Sequence, residues 1–148
     1  MSTQTDHFKE WMSITSSPKV ALLIDDSQGD TEVIVRMSRG FNIRWEVAYT
    51  GLHALEKMEQ KKYQLIILDF QLGSEPDGVE LFRRLKKSCP LCPVLVLSGH
   101  LSNDVIVQIT QIGFAMFAQK PTVFDSTFFE QLFLALNIPR AEVEAYAI

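Results

Sequence analysis

Asp25 and Asp26 follow the apolar run VALLI at 20–24, and Asp69 follows LIIL at 65–68. Ser98 follows VLVL at 94–97, and Lys120, with Pro121 behind it, follows FAMFAQ at 114–119. An acid at the end of a buried segment is costly unless it reaches solvent or a partner. Were these five side chains to meet, three carboxylates, a hydroxyl and an ammonium would share one pocket. Carboxylates so close repel, so a pKa must rise or a cation must enter. A small hard divalent ion such as Mg²⁺, or Mn²⁺, suits oxygen ligands and keeps several of its waters. A carboxylate beside a cation, an ammonium and a hydroxyl is equipped to receive a phosphoryl group, because aspartate is a nucleophile toward phosphorus. The positive groups would neutralise charge on the transferring oxygens.

That chemistry requires elements that bring the five together. The apolar runs read as buried strands, with a weaker one at 45–48 (WEVA). Between them lie amphipathic stretches. The first, 30–40, carries Val33, Ile34 and Met37 and ends at Gly40; the second is capped by Thr50. The third opens on Asp77 and Glu80 at capping-box spacing, the fourth opens on Ser102 and closes at Gly113, and the fifth runs from Asp125 to about Asn137. Strand and helix thus alternate five times, which indicates an α/β fold with a parallel sheet covered on both faces. Right-handed crossovers leave few topologies, and five βα units fit a flavodoxin-like (βα)5 doubly wound sheet of order 2-1-3-4-5, whose crevice lies beyond the carboxyl ends of the strands. All five candidate residues stand at that edge.

Bulk properties narrow the function. The chain has 148 residues, 47% of them hydrophobic and 22% charged, enough for one folded domain. Residues 1–18 read as a flexible polar leader, 19–137 as the domain, and 138–148 as a tail or short helix. A net charge of -4 with scattered lysines and arginines speaks against direct nucleic-acid binding. No apolar run has the roughly 20 residues a membrane span needs, and the N-terminus lacks signal-peptide character. We expect a soluble cytoplasmic protein. Cys89 and Cys92 form a lone C-x-x-C without a second pair to complete a zinc site, and read as small residues of a proline-bounded loop.

The motifs LLIDDS, LIILDFQLG, VLVLSGH and FAMFAQKPT are each weak, but in this order and spacing the chain resembles the receiver domain of two-component response regulators. The resemblance implies that Asp69 is the phosphoacceptor. It implies Mg²⁺ (or Mn²⁺) bound by Asp26, Asp69 and the Gln71 backbone carbonyl, with Asp25 acting mainly through water. Ser98 and Lys120 would each contact a phosphoryl oxygen, and Ser98 with Phe117 would form the switch. Gln71 and His100 fall where the family tunes phosphate lifetime, although a loop histidine is more often simply solvated. The loop after Asp69 departs from the common pattern: it is longer by a residue and has Gly73 in place of a frequent proline.

The implied partners are a histidine kinase or histidine phosphotransfer protein as phosphodonor, and a downstream protein or a second copy as output. The fourth helix (SNDVIVQITQI) and fifth helix (DSTFFEQLFLALN) bear apolar stripes wider than one core face needs, which marks the face formed by helix 4, strand 5 and helix 5 as a docking surface. The short flanks lead us to expect a stand-alone receiver, not an enzyme toward other substrates. Two alternatives stay open: a receiver-like interaction module that is never phosphorylated, and a Mg²⁺-dependent phosphohydrolase of the haloacid-dehalogenase type. The latter needs an acid two residues after its nucleophile, where this chain has Gln71.

Overall fold

A computed structural model of the protein describes residues 18–73, 76–121 and 124–141. Five strands, β1 (Lys19–Ile24), β2 (Ile43–Ala48), β3 (Leu65–Asp69), β4 (Val94–Ser98) and β5 (Met116–Gln119), alternate with five helices. These are α1 (Gln28–Met37), α2 (Gly51–Gln60), α3 (Gly78–Ser88), α4 (Asn103–Ile112) and α5 (Ser126–Ala135). The strands form one sheet in the order β2-β1-β3-β4-β5, every pair parallel, as the alternation predicts.

Period-two alternation divides the strand residues between two cores. Leu22, Ile24, Ile66, Leu68, Val94 and Val96 point to one face, where α2, α3 and α4 cover them with Ala54, Leu81, Phe82, Leu85 and Ile109. Ala21, Leu23, Leu65, Ile67, Leu95 and Leu97 point to the other, under α1 and α5 with Ile34, Phe129, Leu132 and Phe133. β3 and β4 are buried along their whole length. The edge strands β2 and β5 are only half-covered, which follows from having a neighbour on one side.

Local chemistry fixes the helix starts. Thr50, Asp77, Ser102 and Asp125 each accept the backbone N–H three residues on, as their sequence positions predict. Helix α1 differs from the expectation: it starts at Gln28, capped by Ser27, whose hydroxyl accepts the Asp30 N–H at 3.1 Å. It ends at Met37, and Gly40 turns the chain into β2 at φ 93°, a backbone angle that glycine adopts without strain. At Asp77 the capping box is half-formed. Glu80 turns away from the cap to pair with Arg83 at 2.6 Å and Arg84 at 3.1 Å.

The expected leader, 1–18, lies outside the described residues except for Pro18, as does most of the expected tail. Residues 138–141 do not leave the body. Ile138 is buried in the α1/α5 core, the Asn42 N–H donates to the Pro139 carbonyl at 2.7 Å, and the Ala141 N–H donates to that of Gly40 at 2.7 Å. Phe41 and Arg140 form an antiparallel bridge, with the guanidinium 4.8 Å from the ring centre. Cys89 and Cys92 are free thiols; Cys92 is buried and donates to the Tyr63 carbonyl at 3.2 Å. Burial and the neighbouring Cys89 push the Cys92 thiol up to about 12, so it stays protonated and inert.

The loop that leaves β3 returns to α3 through one tight approach. A Cβ added at Gly78 would lie 2.7 Å from the Phe70 ring and 2.8 Å from the Phe70 carbonyl oxygen. Backbone cannot yield as a side-chain tip can. Gly78→Ala is therefore expected to cost about 1–3 kcal/mol by overpacking, measured by urea denaturation; a wild-type midpoint would refute the contact.

Candidate functional site

The three acids and Lys120 converge, with Ser98 at the neighbouring strand end, because each sits at the carboxyl end of its strand and the ladder holds each end in place. Asp25 continues β1 with its N–H on the Ala48 carbonyl at 3.1 Å. Asp69 is the last residue of β3, and the next N–H, that of Phe70, reaches the Leu97 carbonyl at 3.3 Å. Ser98 closes β4, and its carbonyl accepts the Lys120 N–H at 2.7 Å, which fixes the lysine one step beyond β5.

Asp25, Asp26 and Asp69 offer oxygen atoms that all lie within 4.8 Å of one another. Asp25 and Asp69 are buried and Asp26 is exposed. Three hard oxygen donors with one side open to water fit a small divalent cation such as Mg²⁺ or Mn²⁺. Part of each carboxylate is already held: Asp25 accepts the Ser27 N–H at 2.9 Å, Asp69 the Gln71 N–H at 3.2 Å, and Asp26 the Gly73 N–H at 3.1 Å. The last of these ties the segment after β3 to the acidic pair.

Lys120 supplies the counter-charge. Its ammonium lies 2.8 Å from Asp25, 3.3 Å from Asp69 and 2.7 Å from Asp30. Asp30 was not among the residues singled out from the sequence. It stands in the first turn of α1, where the helix dipole favours a negative charge. The signal was there: with α1 opened by Ser27, a carboxylate one turn into that helix faces back toward the sheet edge that Asp25 occupies. Placing the helix start at Asp30 concealed it.

Burial pushes the Asp25 carboxyl up to about 6, with the Asp69 charge adding to the rise and the Lys120 and Ser27 hydrogen bonds offsetting part of it. Burial works against the charge on Lys120, yet hydrogen bonds to Asp25 and Asp30 and the Asp69 charge prevail and hold the ammonium above its ordinary value. The lysine is thus firmly charged, while burial keeps Asp25 reluctant to ionise.

Ser98 is fully buried, but its hydroxyl is turned to the backbone of His100: it donates to the carbonyl at 3.1 Å and accepts the N–H at 3.3 Å. The His100 and Gln71 side chains are exposed at the rim, the Gln71 amide oxygen 3.9 Å from where a Cβ on Gly99 would stand. Phe117 is half-buried on β5, packed against the core under α2, α3 and α4. It also lines an apolar groove of about 350 Å³ between β5 and α5, together with Met116, Ala118, Phe128 and Leu136. The wide stripe of α5 resolves into buried Phe129, Leu132 and Phe133, the groove-lining Phe128 and Leu136, and an outward Leu134 that is 82% exposed. On α4 only Ile109 is fully buried, and Val107 faces outward.

The response regulator receiver domain model matches residues 21–128, most of the described chain. The chain belongs to the response regulator receiver family. Among curated relatives, the transcriptional regulatory protein ZraR of Klebsiella oxytoca is 32% identical over 104 residues, covering 70% of this chain and 23% of that protein. The receiver spans less than a quarter of such relatives. Among solved structures, a CheY-like receiver domain protein from Methanospirillum hungatei superposes with a TM-score of 0.70 at 22% identity, covering 82% of this chain and 95% of that one. The receiver domain of the sensor histidine kinase PA1611 from Pseudomonas aeruginosa, whose active-site cleft coordinates a magnesium ion, gives 0.67 at 21% identity, covering 80% of this receiver and 97% of that one. Receiver domains bind Mg²⁺ in an acidic pocket and act with histidine kinases and downstream proteins in two-component signalling. Among the described residues, no helix of this receiver is long and apolar enough to cross a membrane.

The raised Asp25 carboxyl gives a signed expectation. Folded Asp25 binds its proton more tightly than the unfolded chain does, so ionising it costs stability, and that cost is lifted as pH falls from about 7 toward about 4. In metal-free protein near about pH 7, Asp25→Asn is expected to be more stable than wild type, by at most on the order of 3 kcal/mol. The difference should shrink near about pH 5 and reverse when Mg²⁺ is added. Urea midpoints at the two pH values, with and without the metal, provide the check; an equal or lower midpoint for Asp25→Asn without metal at neutral pH contradicts it.

Proposed function

We propose that this receiver takes a phosphoryl group on Asp69 from a phosphohistidine of a histidine kinase or phosphotransfer protein, with Mg²⁺ (or Mn²⁺) in the acidic pocket, and that the modification changes which proteins it binds. The observation that carries this reading is the convergence of Asp25, Asp26 and Asp69 on one small space with the Lys120 ammonium 3.3 Å from Asp69. Asp26, Asp69 and the Gln71 backbone carbonyl would hold the metal, with Asp25 mainly through water. When bound, the metal supplies positive charge against the equatorial phosphoryl oxygens.

The rest of the step belongs to the chain. An Asp69 carboxylate oxygen attacks phosphorus in line with the leaving group. The donor's P–N bond breaks, the imidazole leaves with the electron pair, and an acyl phosphate remains on Asp69. Lys120 leaves its carboxylates to meet one phosphoryl oxygen. The Ser98 hydroxyl rotates off the His100 carbonyl, a side-chain turn that breaks one neutral hydrogen bond, and donates to another. Phe117 then repacks between core and groove. Its ring has no hydroxyl, so this switch works through packing alone. Gln71 and His100, at the rim of the acidic pocket, tune the approach of the hydrolysing water and hence the lifetime of the phosphate. Apart from accepting and losing this group, the protein is not an enzyme.

Output passes through the face formed by α4, β5 and α5 to a downstream protein or a second copy. The β5–α5 groove supports this: it is apolar, open, and bordered by Phe117, which pairs with Val96 of β4 and lies three residues before Lys120. Such surface marks an interaction site.

The test is incubation with Mg²⁺ and a small acyl phosphate or phosphoramidate, read by intact mass. Wild type should gain one phosphoryl group, Asp69→Asn none, and Glu59→Gln, an exposed acid on α2, the full amount. Lys120→Ala should lose at least about tenfold in rate, the scale for a charge-stabilising group at a phosphoryl site. Absence of any gain with every donor would leave an unphosphorylated interaction module as the better account.

A further inference from the structure

An ammonium has three N–H donors, and Lys120 meets three carboxylates: Asp25 at 2.8 Å, Asp30 at 2.7 Å and Asp69 at 3.3 Å. Two of these, Asp25 and Asp69, also belong to the trio whose oxygens gather within 4.8 Å for a cation. Asp30 does not. A divalent ion entering the trio competes with Lys120 for Asp25 and Asp69 but leaves the Asp30 contact untouched. A phosphoryl oxygen arriving on Asp69 must instead draw Lys120 away from whatever still holds it.

We infer that Asp30 is a positioning residue that parks Lys120, easing metal entry and opposing capture of the lysine by the phosphoryl group. This inference rests on the phosphoacceptor reading of Asp69. Three features support it. The Asp30 contact is the shortest of the three, although the two residues are ninety positions apart and share no element. The Asp30 side chain is 38% exposed whereas that of Lys120 is 14% exposed, so the acid sits at the mouth and the ammonium inside. The Ser27 cap fixes the first turn of α1 by accepting the Asp30 N–H, leaving the carboxylate free to face the lysine.

Without Asp30, Lys120 falls back on Asp25 and Asp69, the two acids it shares with the cation. Metal binding then weakens. The phosphorylated state, in contrast, no longer has to strip the lysine from a third acid, and it also loses a nearby negative charge. One substitution therefore moves two constants in opposite directions, which loss of helix stability alone does not do.

The experiment measures Mg²⁺ affinity by calorimetry and, at saturating Mg²⁺, the affinity for beryllofluoride as a phosphoryl mimic. Asp30→Asn should bind Mg²⁺ about threefold to tenfold more weakly and beryllofluoride about threefold to tenfold more tightly, the range for a partly exposed charged pair. Asp30→Glu should return both toward wild type. Glu32→Gln removes the same charge from the same helix, where the carboxylate bonds Gln28 at 3.1 Å, and should change neither. Should Asp30→Asn melt early, Asp30→Ser serves in its place. Unmoved constants, or shifts of the same sign, would overturn the inference while wild-type beryllofluoride binding keeps the phosphoacceptor reading. A wild type that binds no beryllofluoride and takes no phosphoryl group from an acyl phosphate would bring down both.

Discussion

Like charges can be gathered in a place short of water only if something fixes them there and something else answers their field. The edge of this sheet gathers Asp25, Asp26 and Asp69, two of them buried, and answers with one ammonium. Burial, with the Asp69 charge adding to it, lifts the Asp25 carboxyl to about 6, and the Lys120 contact offsets only part of that cost. An under-compensated acidic pocket is unstable alone and becomes favourable when a cation or a change of protonation completes it. Everything else in the fold can be read as the means of holding that imbalance in place.

The means are the apolar strands. β3 and β4 have no exposed residue, and both faces of the sheet are covered, so the strand tips cannot splay without exposing the core. Phe82, Phe129 and Phe133 are among the largest fully buried side chains. Each such ring contributes roughly 1.5–3 kcal/mol of transfer free energy. Against that, the local cost of crowding carboxylates is affordable within a marginal total. Ladder hydrogen bonds running past the last strand residues, to Asp25, Phe70 and Lys120, carry the rigidity of the sheet to the chemical groups.

The fold was legible in the sequence wherever its cause was local or periodic. Caps such as Thr50, Asp77, Ser102 and Asp125 act on an N–H three residues away, and apolar runs of four or five residues have few alternatives beside amphipathic stripes. The convergence of the acids, Ser98 and Lys120 followed from topology once the order of strands was fixed. What the sequence concealed was non-local or rotameric. Asp30 meets Lys120 across ninety residues, and its place in the first turn of α1 shows only once Ser27 is taken as the cap. The Ser98 hydroxyl satisfies itself on His100, a choice of side-chain torsion that composition cannot reveal. The start of α1 was hidden because Ser27, Gln28 and Gly29 look like a turn and the preceding aspartates compete as caps. The docking of 138–141 beside Gly40 and Asn42 rests on backbone bonds, which carry no side-chain signature.

The same architecture bears on how far a change at the acids can travel. Lys120 is joined through one backbone bond to Ser98 and through the chain to Gln119, Ala118 and Phe117, three residues that line the β5–α5 groove. β5 is the shortest strand and a sheet edge, buried nowhere completely, so it is the element that can shift at least cost. Lys120 cannot reach a new partner without giving up one of its carboxylates, and Ser98 cannot without giving up the His100 carbonyl. Both are exchanges between discrete contacts, the kind of alternative from which a two-state element is built. The groove therefore lies beside the strand that burial holds least firmly, whereas β3 and β4 are buried along their whole length.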